Sequence, residues 1–185
     1  SGTGTVTLTV PSTSTDRTIT LPDATTTLSA NMPLGYDSWY LNANQTANAV
    51  ITNWTRRPSA SGYVQIGSAM TVSSGVFSFP VTGIWLIKLQ LYFNFTSTAN
   101  DQFQCTIRTG TSGTPDTDIG ACFEGGAGAG DHIGISTTQI LFDVTDTTNS
   151  VLDILAASIG SGNFFVGGST SYTFTIVEFM KLGET

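Results

Sequence analysis

Charge is what this chain lacks most. Only 10 % of its 185 residues are Asp, Glu, Lys or Arg, against about 25 % in an average globular protein. Six basic residues face thirteen acidic ones, leaving a net charge of −7. Gripping a phosphate backbone takes clustered Lys and Arg, and here only Arg56 and Arg57 are adjacent. Nucleic acid and anionic membrane surfaces are therefore excluded as partners. Histidine is down to His132 and cysteine to Cys105 and Cys122. One imidazole and two separated thiols do not make a four-ligand zinc site, and two cysteines do not make a disulfide framework. They flank a loop rich in Gly, Thr and Asp, which leaves open a disulfide between neighbouring strands or, in a reducing cell, two buried thiols. Long apolar runs are missing too. None reaches the roughly 18 residues of a membrane span, because Lys88, Gln90 and Asn94 interrupt the longest, from Ile84. No membrane insertion is expected. There is no heptad, no amphipathic helix and no solenoid period. No signal peptide is readable, and a start at Ser1 leaves open a processed fragment.

What the chain does have is Thr, Ser, Gly and Asn, which supply its polarity and favour strands and turns. The most informative stretch runs from Gly75 to Phe93. Phe77 and Phe79 alternate in a short strand that ends at a corner, Pro80 to Gly83. Beyond the corner Trp85, Ile87, Leu89, Leu91, Phe93 and Phe95 fall on one face, and Lys88, Gln90 and Asn94 on the other. A period of two sustained this long predicts a strand through the middle of a sheet with one face in a core. Further short strands are predicted at Trp39 to Leu41, Ala49 to Trp54, Gly62 to Ile66, Phe103 to Arg108 and Ile119 to Phe123. Many short strands between turns read as an all-β sandwich. Ser1 to Ala30 has a different texture: Val6, Leu8 and Val10, then Ile19 and Leu21, alternate in two strands too small to make a core. Met32-Pro33-Leu34-Gly35 reads as a linker. The expected organisation is a β segment over 1–35 and a head over 36–185.

Catalytic chemistry is poorly supplied. Asp131-His132 lies in a Gly-flanked stretch with no nucleophile elbow, and adjacency in sequence does not build a triad. Asp116, Asp118, Glu124, Asp131, Asp143, Asp146 and Asp153 are the candidates for a carboxylate pair or a calcium shell. Most sit in turns where Asp bonds its own backbone. Glu178, inside the apolar last strand, reads as facing solvent or as paired at a subunit contact with Lys88 or Lys181. The sequons at Asn44, Asn53 and Asn94 are of the kind a chain rich in Asn and Thr gives by chance. Arg56 and Arg57 beside Trp54 read as solvated arginines at a strand end. No catalytic residue, cofactor or metal is expected.

Binding is better supplied. Asn163, Phe164 and Phe165 form a candidate loop whose adjacent aromatics need cover from outside the core. Gly126, Asp131 and His132 lie in or beside a Gly/Ala loop where a backbone can closely approach another surface. The last strand is apolar on both faces: Phe174, Ile176, Met180 and Leu182 on one, Val177 and Phe179 on the other. Either a bulge shifts its register, or its second face is buried against copies of itself.

Gly75, Phe77, Pro80, Gly83 and Trp85, followed by alternating apolar residues, resemble the core strands of the C1q/TNF-like family, with Trp85 where that family usually has Tyr. The resemblance runs from about Asp37 to Leu182: Ile135 to Val144, Ser150 to Ile159 and Gly167 to Leu182 resemble the family's last three strands, with Tyr172 to Val177 like its closing strand. It implies a jelly-roll sandwich that assembles as a homotrimer and binds other molecules, with Tyr92, Tyr172, Phe174, Val177 and Phe179 as interface candidates. Arg17-Thr18-Ile19-Thr20-Leu21-Pro22-Asp23 is similar to segments that precede the C-terminal head of bacteriophage fibre proteins. Together they imply a virion appendage, folded in the host cytoplasm, whose N-terminal segment meets other virion proteins. Its trimeric head would attach to a host surface glycan or protein. A capsid-decoration or connector protein without a receptor, and an extracellular C1q-like lectin or signalling domain, are the alternatives.

Overall fold

A computed structural model describes residues 34–59, 62–95, 101–126, 132–159, 164–165 and 174–185. All lie in one of the two units into which the chain divides, Pro33–Thr185. The expected strands at residues 5–10 and 17–23, and the candidates Asp131, Asn163 and Tyr172, fall outside the described residues.

Eleven strands are described: β1 (Gly35–Leu41), β2 (Trp54–Arg56), β3 (Thr71–Ser73), β4 (Val76–Ser78), β5 (Gly83–Phe95), β6 (Asp101–Gly110), β7 (Thr117–Gly126), β8 (His132–Val144), β9 (Val151–Ala157), β10 (Phe164–Phe165) and β11 (Ile176–Gly183). They form two antiparallel sheets. In the larger, β5 pairs with β8 on one side and with β11 and β10 on the other, and β1 and β2 continue beyond β11. The smaller runs β3-β4-β9-β6-β7. The chain passes back and forth between the sheets, from β1 and β2 to β3 and β4, to β5, to β6 and β7, to β8, to β9, and back to β10 and β11, which makes a jelly-roll sandwich.

The alternation of β5 produces the expected central strand. Trp85, Ile87, Leu89, Leu91 and Phe93 are all buried in the core between the sheets. The corner at Pro80 is where the chain leaves one sheet for the other, since β4 belongs to the smaller sheet and β5 to the larger. Phe77 and Phe79 therefore meet the larger sheet across the core. Phe79 lies edge-on to Trp85 with centroids 5.4 Å apart, and Phe77 sits 4.9 Å from Phe179. The tight turn before β4 is Ser74-Gly75, both with positive φ (50° and 85°), the two-residue type I′ geometry whose twist suits a hairpin.

Several boundaries move. β1 begins at Gly35, earlier than the hydrophobic pattern suggested. Ala49 to Trp54 and Gly62 to Ile66 reduce to isolated bridges, Val50 to Leu155 and Tyr36 to Ile66, apart from Trp54, which opens β2. His132 is the first residue of β8, paired with Phe95, and not a loop residue. Phe164 and Phe165 form a short strand against Asn94 and Phe93. Gly126 closes β7.

Candidate functional site

The ladder registers of the larger sheet determine what its outer face displays. Direct partners in an antiparallel ladder share a face, so side chains line up in rows across the strands. One row is Tyr36 (β1), Met180 (β11), Leu86 (β5) and Leu141 (β8). The next is Ser38, Glu178, Lys88 and Gln139, and the third Tyr40, Ile176, Gln90 and Thr137. Beyond it Tyr92 stands opposite Ile135 and against Phe174, their ring centroids 4.7 Å apart. The result is a polar stripe between apolar rows. On β8, the strand farthest from β1, Ile133, Ile135 and Leu141 are 55 %, 60 % and 65 % exposed. A solvated strand face is ordinarily polar, so apolar side chains this exposed on either side of the polar stripe stand out.

A depression of about 660 Å³ lies at the middle of this face, lined by Lys88, Gln90, Thr137, Gln139, Ile176 and Glu178 among others. Glu178 accepts a hydrogen bond from the Tyr36 hydroxyl at 2.5 Å. Burial first, then that bond and the charge of Glu178, push the Tyr36 phenol from 10.0 to about 12. Of the two partners expected for Glu178, Lys181 turns to Glu184 instead (2.8 Å). Lys88 is its direct cross-strand neighbour and lines the same depression.

The interface candidates separate. Tyr92 and Phe174 stand together at one end of the outer face. Val177 and Phe179 are completely buried within the single chain, which corrects their place among interface residues: they belong to its own core. The outward residues of β11 are Ile176, Glu178 and Met180. The last strand reads as apolar on both faces because one face fills the core and the other is this surface, and a register shift between Lys181 and Gly183 supplies a bulge as well. Leu86, Ile133, Ile135 and Leu141 went unnoticed as site residues, although the alternation of β5 and β8 already put them on one side.

The loop candidates are not gathered into a described pocket. Gly126 ends β7 and His132 begins β8. Among the described residues no group of three His, Cys, Asp or Glu is placed to hold a metal ion. Asp146 is engaged by its own turn, accepting from the Thr148 N–H (2.7 Å) and the Asn149 amide (2.6 Å), contacts that hold its carboxyl below the usual range. Arg56 and Arg57 do not merely point into solvent from their strand end. Arg56 lies 4.5 Å over Trp39 and pairs with buried Asp37 at 3.1 Å, while Arg57 lies 4.0 Å over Tyr63.

No family model and no curated protein matches this sequence. Solved structures with the same fold include Eiger TNF from S. frugiperda (TM-score 0.64, 12 % identity, 83 % of this chain and 96 % of that one). Murine APRIL is another, with TM-scores of 0.56 at pH 8.5 (12 % identity) and 0.60 at pH 5.0 (10 % identity), each covering 80 % of this chain and 98 % of that one. The head has the TNF-like jelly-roll fold, as the Gly75 to Trp85 motif implied.

Proposed function

We propose that this chain is a non-catalytic binding protein whose TNF-like head assembles as a homotrimer through the outer face of the larger sheet and attaches to a ligand on an external surface. One observation carries the reading: a folded protomer leaves Leu86, Ile133, Ile135, Leu141, Ile176 and Met180 on one face, around a stripe holding both an acid, Glu178, and a base, Lys88. A second and third copy of the chain are the occupants that suit a face of this composition, since closed rotational symmetry buries it without leaving an open edge. Three modest sites on one rigid head then bind by avidity. The loops at its ends supply the contacts.

The setting we favour is a virion fibre, with the segment containing Arg17 to Asp23 joining the head to other virion proteins. This rests on that motif. The likeness to Eiger and APRIL favours a second reading, an extracellular signalling or lectin head from a cellular organism. Both require the same assembly and differ in the ligand. Light scattering on a sizing column is expected to give about three times the chain mass. A stable monomer at micromolar concentration would overturn the assembly. Labelled trimer is then applied to bacterial surface polysaccharide and to animal-cell glycans and receptor ectodomains. Retention on the first alone supports the fibre, and retention on the second alone supports the other reading. Release of reducing sugar from the polysaccharide is expected to stay at background.

A further inference from the structure

The two cysteines of the chain are brought together by the fold. Cys105 on β6 is the direct ladder partner of Cys122 on β7. Direct antiparallel partners hold their Cα atoms about 4.5–5.5 Å apart, within the span a disulfide bridges, and they project side chains to the same face. That shared face is the core: Cys105 and Cys122 are both buried, and both are free thiols in this structure. Among the described residues β7 is the last strand of its sheet, and the ladder that holds it there, with β6, carries an irregularity between Ile107 and Arg108.

We propose that Cys105 and Cys122 form an intramolecular disulfide, made by exchange with a small-molecule disulfide such as oxidised glutathione, that fastens the edge strand β7 to β6. The thiolate of one cysteine attacks the glutathione disulfide, breaking its S–S bond and releasing one glutathione thiol. The second cysteine then displaces the mixed disulfide and releases the other. The protein pair gives up two electrons and two protons, and glutathione disulfide takes them. Cys122 is the point of entry because it lies on the edge strand beside the Ser136 hydroxyl of β8, a contact that partly offsets the upward push of burial on its thiol. Cys105 is held protonated more firmly, by burial first and then by the nearby Cys122 and Asp153. Exchange is therefore slow in the closed sandwich and proceeds when β7 lifts. Once formed, the bond is shielded in the same way. The cross-link separates the two settings proposed for the head: it forms in an oxidising exterior and stays open in a reducing cytoplasm.

The test uses the full chain held near its urea midpoint in glutathione redox buffer, so that β7 opens and closes, and then refolded. After denaturation in iodoacetamide, the expected product carries no alkyl group and a mass lower by two hydrogens. Its Tm should exceed that of the reduced chain by about 5–10 °C for a loop of this length in a chain of this size, and reductant should reverse the gain. A Cys105→Ala/Cys122→Ala double variant should melt no higher than the reduced chain and ignore the oxidant; if it fails to fold, the comparison of oxidised with reduced wild type decides alone. Alkylation of both cysteines, disulfide-linked dimers on a non-reducing gel, or an oxidised monomer with an unchanged or lower Tm would each overturn the proposal.

Discussion

Two of this chain's scarce carboxylates, Asp37 and Asp153, are buried in it. Asp37 is buried, yet its carboxylate accepts from Arg56 Nε at 3.1 Å, from the Met70 N–H at 3.0 Å and from the Ser38 N–H at 3.0 Å. Arg56 also donates to the Met70 carbonyl. The cluster thus ties β1 and β2 to the start of β3. Asp153, equally buried, takes both prongs of Arg108 at 2.8 and 2.6 Å, a bidentate geometry that lysine cannot copy. Removing one partner of such a group costs more than the pair contributes, because the other is left uncompensated. Asp37→Ala is expected to lower stability by about 2–3 kcal/mol, less than for a fully buried pair because Arg56 is partly solvated; a urea midpoint at constant m-value reads it. Tyr36 gives a pH signature. Its folded-state phenol is raised to about 12 from 10.0, so the folded state holds the proton more tightly. That stabilisation is whole below pH 10 and is lost as pH rises through 12. In Tyr36→Phe the loss of stability between pH 10 and 12 should shrink, at a cost near neutrality of about 1 kcal/mol for the hydrogen bond to Glu178. An unchanged alkaline profile would show that another group governs it.

At the scale of elements, the long alternating strands were legible and the short ones were not. The span from Gly83 to Phe95 announces itself by period, β11 by its apolar content, and β8 and β9 by the resemblance of their segments to C1q/TNF-like strands. Ala49 to Asn53 and Gly62 to Ile66 carry strand-forming residues, but each meets its neighbour strand at one bridge only among the described residues. The glycine signals carry backbone information that a hydrophobicity pattern misses. Gly75 has φ +85°, and a Cβ there would stand 2.5 Å from the Ile51 carbonyl oxygen, a backbone atom that cannot swing away. Gly75→Ala should destabilise by about 1–3 kcal/mol through strain at the turn, visible as a lower thermal midpoint. An effect below a few tenths of a kcal/mol would mean that the β3–β4 turn can take another form.

For the whole molecule, the outer face of the larger sheet makes the sharpest demand. Leu141 is 65 % exposed on the protomer, so changing it touches no core packing. Leu141→Asp is expected to leave the protomer folded, with unchanged far-UV circular dichroism, and to lower the mass seen by sedimentation toward that of one chain. If the variant keeps the wild-type mass, the subunits meet elsewhere. Surface binding should fall with the mass, by 10²-fold or more where avidity supplies the affinity.

The sequence by itself determined the fold class and its axis. A low-charge, Thr- and Gly-rich chain with strict alternation through Gly75 to Phe93 has few ways to bury Trp85, Ile87, Leu89 and Leu91 other than in a β-sandwich. It could not determine which strands would be neighbours, because alternation assigns a residue to a face of its own strand without saying what lies beside it. Only the tertiary structure placed Cys105 against Cys122, turned Arg56 inward to Asp37, sent Val177 and Phe179 into the core, and assembled residues from β1, β5, β8 and β11 into one outer face. Each of these follows from ladder registers between segments far apart in the chain, and such registers are set by the packing of the whole sandwich.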